Sequence, residues 1–123
     1  MIPKFRFYSE RMNKIGIVIS LHPLRKRVYV EWDDTLSGTE NIDDNGVLMQ
    51  STGLFDRNGK EIFEGDIVYA YSEGARLIGA IEYFDNAYCI KTKNGVYNSL
   101  WTNAEYYEIV GNVFENQELA EVE

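Results

Sequence analysis

A chain of 123 residues with 12 basic and 20 acidic side chains, net charge −8, has room for one domain. It repels the phosphate backbone whose neutralisation drives non-specific nucleic-acid binding, so nucleic acid is an unlikely partner. A hydrophobic share of 45% beside 26% charged residues argues for a folded globule, and one cysteine with one histidine excludes an internal disulfide and a Cys/His zinc cage within the chain.

In chain order, the run IGIVISL at 15–21 is too short to span a membrane, and no cleavable signal pattern precedes it, so a cytoplasmic protein is expected. Its alternation predicts a strand with Ile15, Ile17, Ile19 and Leu21 on one face. Val28, Val30 and Trp32 share a face of the next strand, and HPLRKR at 22–27 connects the two as a hairpin, with Pro23 suited to the turn. Residues 33–46, DDTLSGTENIDDNG, are acidic and glycine-bearing and are read as a mobile loop. Further strands are predicted at 67–71, 77–84, 87–92 and 108–114. Asn58-Gly59 and Asn94-Gly95 are hairpin signals, because such pairs tolerate the positive φ of tight turns. Helix signals are confined to a capping box, Thr102 with Glu105, running through Tyr107, and to Asn116 capping a short helix over QELAEV. The fold class is therefore mainly β with one or two short helices. A single domain over 1–123 is expected, with an N-terminal hairpin and acidic loop over 1–46 and a β-barrel core over 47–123. The order EGDIVYAY, loop, LIGAIEYF, AYCIKT, glycine turn is that of a small, strongly bent SH3-like barrel.

The stretch NGKEIFEGDIV sets Glu61, Glu64 and Asp66 around Ile62, Phe63 and Gly65. Either the three acids do chemistry or they are the polar side of a turn. The turn is the better reading: Gly65 supplies φ > 0 at the entry to a strand, and Asp66 is expected to bond a backbone N–H two residues on. Acid/base work would also need a pocket and a perturbed pKa.

Three blocks carry a family resemblance. IPKFRFY at 2–8, LMQSTGLFDRNGKEIFEGDIV at 48–68 and EIVGNVFENQEL at 108–119 resemble the YopX family, small proteins of phages and prophages. The resemblance implies a mostly β, SH3-like fold and a tendency toward homo-oligomers, and it implies no established enzymatic activity. It implies structural roles for Gly53, Asn58, Gly59, Gly65 and Asp66 as turn formers and for Gly111, Asn112 and Asn116 as bends around the last strand.

The remaining candidate sites compete with plainer readings. Asn41, Asp43 and Asn45 before Gly46 imitate half of a calcium loop, but Thr52 stands where a bidentate Glu is required, so no metal is assigned. His22 has no serine or cysteine motif beside it and reads as an exposed turn residue. Cys89, with Lys91 two residues on along the same face, reads as a structural thiol. Arg25, Lys26 and Arg27, followed by Tyr29 and Trp32, form the basic cluster; a solvated hairpin tip is favoured over a nucleic-acid contact, which three phosphates would make weak. The nine tyrosines suggest a subunit contact through some of Tyr69, Tyr71, Tyr83, Tyr88, Tyr97, Tyr106 and Tyr107. The functional expectation is a non-enzymatic, phage-encoded interaction module in the host cytoplasm, forming homo-oligomers and contacting a host or phage protein, with no cofactor. The alternative is a nucleic-acid-related role, by weak binding through Arg25–Arg27 or by acidic mimicry of DNA.

Overall fold

The computed structural model describes residues 4–42, 46–72, 74–100 and 106–121. By contacts the chain divides into two compact units, Met1–Gln50 and Ser51–Glu123.

The first unit is an antiparallel sheet of β1 (Phe5–Ser9), β2 (Lys14–His22), β3 (Arg27–Glu31), β4 (Ser37–Asn41) and the beginning of β5 (Gly46–Phe55), in the order β4-β3-β2-β1-β5. Phe7, Val28 and Val30 are buried on one face, with Val18, Leu21, Trp32, Ile42 and Leu48 against them. The alternation on β2 holds only in part. Val18 pairs with Val30 but Ser20 pairs with Tyr29, so Ile19 is an extra residue, a β-bulge. Before the bulge Ile15 and Ile17 face away from the core and Gly16 and Val18 face it; after the bulge Leu21 returns to the core. Ile15, Ile17 and Ile19 therefore do not share Leu21's face, and Ile17 and Ile19 are exposed.

The connection between β2 and β3 is also tighter than six residues. His22 and Arg27 are paired strand residues, and a 3-10 turn, Pro23–Arg25, followed by Lys26 in the left-handed region, spans the gap. The acidic stretch is not one loop. Asp33 folds a turn by accepting bonds from the Thr35 and Leu36 N–H groups, 2.8 and 2.9 Å, and Ser37–Asn41 then pairs along all of β3. These bonds from Thr35 hold the Asp33 carboxyl below the usual carboxylate value. Backbone pairing to β3 forms this edge strand without help from apolar side chains, which is why hydrophobic alternation misses it.

In the second unit the end of β5 pairs with β6 (Glu61–Phe63). A separate sheet follows: β7 (Asp66–Ser72), β8 (Ala75–Phe84), β9 (Ala87–Lys91), β10 (Tyr97–Ser99) and β11 (Tyr107–Asn112), in the order β10-β9-β8-β7-β11. The mainly β expectation holds. The expected barrel is not closed, since β10 and β11 are the two edges of this sheet among the described residues. Ile62, Val68, Ile81, Ile90 and Tyr107 form the core.

Both Asn-Gly turns use the same device. Gly59 N–H donates to the Asp56 carbonyl (3.0 Å) and Gly95 N–H to the Thr92 carbonyl (2.9 Å), with φ of +81° and +79° at the glycines alone. Asn58 and Asn94 keep ordinary φ, so the positive φ expected of the pair is confined to its second member. A two-residue turn with positive φ at both members is instead at Asp85 and Asn86, between the paired residues Phe84 and Ala87. Of the helix signals, Thr102 and Glu105 lie outside the described residues and Tyr107 begins β11. Gln117–Glu121 is a 3-10 helix, and the Asn116 side chain accepts from Asn112 N–H rather than capping it.

Candidate functional site

Strand entry at the acidic stretch is built by backbone geometry. Gly65 has φ +86°, its N–H donates to the Ile81 carbonyl (2.9 Å) and its carbonyl accepts from Val113 (2.9 Å). Buried Asp66 accepts from Phe63 N–H at 2.8 Å, three residues back. Glu61 accepts the Ser51 hydroxyl. Asp66 and Glu61 thus bond different partners, and among the described residues no group of three His, Cys, Asp or Glu side chains is placed to hold a metal ion. Asn41 lies in β4, Asp43 and Asn45 lie outside the described residues, and Gly46 to Thr52 is strand, which removes the calcium-loop geometry beyond Gly46. Gly53 and Gly59 have positive φ, whereas Gly111 is a strand residue where an added Cβ would approach Asn116 Oδ1 to 2.6 Å.

The carboxylate that organises this region is one that the sequence reading passed over. Asp56 is 2% exposed; its Oδ1 accepts from Asn58 and Lys60 N–H (both 2.9 Å) and its Oδ2 from Ile109 N–H (3.0 Å). Burial opposes its charge, but the bonds from Ile109, Lys60 and Asn58 prevail and hold its carboxyl below the usual value.

The four candidate interface tyrosines do not form one patch. Tyr69 and Tyr71 share one face of the second sheet, 6.3 Å apart edge to face, beneath the guanidiniums of Arg76 and Arg57 respectively. Tyr83 and Tyr88, 5.1 Å apart, lie on the other face, where Tyr88 packs against the core and burial raises its phenol, with the Glu64 charge adding to the effect. Tyr107 is a core residue at 2% exposure, which excludes it from a surface contact. Cys89 is buried, and Lys91 is engaged with Glu82 at 3.8 Å.

On the first unit, register assembles a site from residues that the sequence left scattered. The outward face of β2, β3 and β4 sets His22 opposite Arg27 and Arg27 opposite Asn41; the next row sets Ser20 opposite Tyr29 and Tyr29 opposite Thr39. Arg25 joins them from the 3-10 turn, and Ser20, His22, Arg25, Arg27, Tyr29 and Thr39 line an open groove of about 530 Å³. Ser20 Oγ is 3.2 Å from His22 Nε2, and Tyr29 Oη is 2.8 Å from Ser37 Oγ. A serine does therefore stand beside His22, through i, i+2 spacing on one strand. No carboxylate is bonded to the imidazole among the described residues, so the third member of a nucleophilic triad is missing. Lys26, in the left-handed region between Arg25 and Arg27, is outside this lining.

Toward the opposite end of the same face, Ile15 lies opposite Tyr8 and Tyr8 opposite Val47, while Ile17 lies opposite Arg6. Ile17, Ile19 and Val47 are 53%, 57% and 42% exposed on this face, with Arg6 and Glu31 opposite Ile17 on its two sides.

Comparison with known proteins gives a consistent assignment. The family model described as YopX protein matches residues 4–121. The crystal structure of protein EF1440 from Enterococcus faecalis is similar over 98% of this chain and 99% of its own, with 25% identity and a TM-score of 0.65. The protein yopX from Bacillus subtilis is similar in fold over 94% of this chain and 96% of its own, with 16% identity and a TM-score of 0.63. No curated protein matches.

Proposed function

We propose, from the premise that this chain belongs to the YopX family, that it is a non-enzymatic interaction module that assembles with copies of itself. In this reading it is encoded by a phage or prophage, works in the host cytoplasm, and engages a host or phage protein. The observation that carries the proposal is the pair Ile17 and Ile19 on β2, two isoleucines more than half exposed on a sheet face. A second copy is the occupant proposed for it, because β4 is an edge strand of the same sheet among the described residues, to which a like strand can add. The net charge of −8 favours a protein over a polyanion. The meander β7-β8-β9-β10, with β11 returning to the free side of β7, supports reading the second unit as an open variant of the SH3-like arrangement.

Light scattering at micromolar concentration tests the assembly. The wild type is expected to be a dimer or larger, and Ile17→Gln with Ile19→Gln, which shortens the apolar surface without adding charge, is expected to give a folded monomer with the circular dichroism spectrum of the wild type. A wild type that is monomeric throughout this range would remove the assembly.

A further inference from the structure

The groove at the hairpin end of the first sheet has the chemistry of an oxyanion site. All six described lining side chains, Ser20, His22, Arg25, Arg27, Tyr29 and Thr39, carry an N–H or O–H group, and among the described residues no carboxylate lines the groove. Among the described residues neither Arg25 nor Arg27 is ion-paired, although acids outnumber bases 20 to 12 in the chain. Strand register supplies the reason. Glu40 on β4 is opposite buried Val28 and so points to the other face of the sheet, where it accepts from Ser9 and pairs with Arg11 at 2.6 Å.

Size and charge narrow the ligand. The groove is open, and its volume of about 530 Å³ leaves room for more than a bare phosphate. Two guanidiniums balance the two charges of a phosphomonoester and present planar donor forks to its oxygens. Each further phosphate of a nucleic-acid strand would instead bring another negative charge to a protein already at −8. The half-exposed ring of Tyr29 offers an apolar surface beside the donors for the organic part of a small ligand.

We propose that this groove binds a small organic phosphomonoester. Arg25 and Arg27 hold the phosphoryl oxygens, Ser20, His22 and Thr39 donate the remaining bonds, and Tyr29 flanks the organic group. Binding involves no covalent step, and it does not depend on the assembly proposed above.

An amide-resolved NMR titration tests it, with inorganic phosphate, adenosine 5′-monophosphate, and a hexathymidylate with and without a 5′-phosphate, at ionic strength matched with sodium chloride. Saturable shifts confined to residues 20–29 and 37–41 are expected with phosphate and more strongly with the nucleotide, and none with chloride alone. Arg27→Gln is expected to weaken binding about tenfold, the loss of one charge-assisted contact. Arg25→Gln, in the exposed turn, provides a second variant acting in the same direction should Arg27→Gln fold poorly. The monomeric Ile17→Gln, Ile19→Gln protein, with its charge unaltered, is expected to bind phosphate as the wild type does, so loss of assembly and loss of the anion site are read separately. Absence of localised shifts, equal shifts with chloride, or indifference to both arginine substitutions would overturn the proposal. Hexathymidylate binding regardless of its 5′-phosphate would overturn it in favour of a strand-backbone groove. Binding of the phosphorylated oligomer alone, tighter than the mononucleotide, would overturn the small-molecule assignment in favour of a nucleic-acid end.

Discussion

Asp56 concentrates more structural consequence in one side chain than any of the acids grouped around Gly65. It ties the turn at residues 56–60 to β11, far along the chain, through three backbone N–H donors. Asp56→Ala leaves those donors without their carboxylate and is expected to destabilise the fold by roughly 3 kcal/mol, measurable by urea unfolding at pH 7. The pH dependence has a definite sign. The folded carboxyl lies below its ordinary value, so its stabilisation is complete above the unfolded pKa of about 3.9 and is lost as pH falls through the depressed folded value. Asp56→Asn should therefore flatten the acid limb of the stability profile; an unaltered limb would show that other carboxylates govern it. Asp56 was hard to find in the sequence because DRNGK reads as an ordinary turn, and its partner Ile109 lies 53 residues away.

The elements show which physical signals a single sequence carries. Hairpins marked by Asn-Gly and buried strands such as β7 and β8 were legible, because turn chemistry and alternation are local. β4 was not, since its pairing rests on backbone bonds to β3 and its side chains carry no apolar pattern. The Asp85-Asn86 turn was legible as the gap between the strands predicted at 77–84 and 87–92, but its type was not, because both residues visit the left-handed region without a glycine to mark it. The groove was illegible for a further reason: it brings Ser20, Tyr29 and Thr39 together through cross-strand register, whereas reading Arg25, Lys26 and Arg27 as one cluster grouped residues that do not all line it. At Gly65, φ of +86° makes any side chain strained, so Gly65→Ala is expected to lower stability by about 1–2 kcal/mol. Gly38 is the control. An added Cβ there meets nothing within 4 Å, so Gly38→Ala should leave the melting temperature unchanged or slightly raised.

For the molecule as a whole, 20 acidic residues against 12 basic set the long-range field. Retention of random duplex DNA at 0.15 M salt is expected to be absent, because the screening length of about 8 Å leaves little beyond the hairpin's own arginines to attract it. A shift in an electrophoretic assay at that salt would refute this. The bulge at Ile19 sets what the lineage can change. It is one codon too many for a regular strand, and without it Val18, Ser20, Leu21 and His22 would keep the faces they now have. An in-frame loss of that codon should thus be tolerated and leave the groove intact, whereas the same loss at Gly16 would invert one flank of the strand against the other. Length variation among descendants should accordingly gather at position 19.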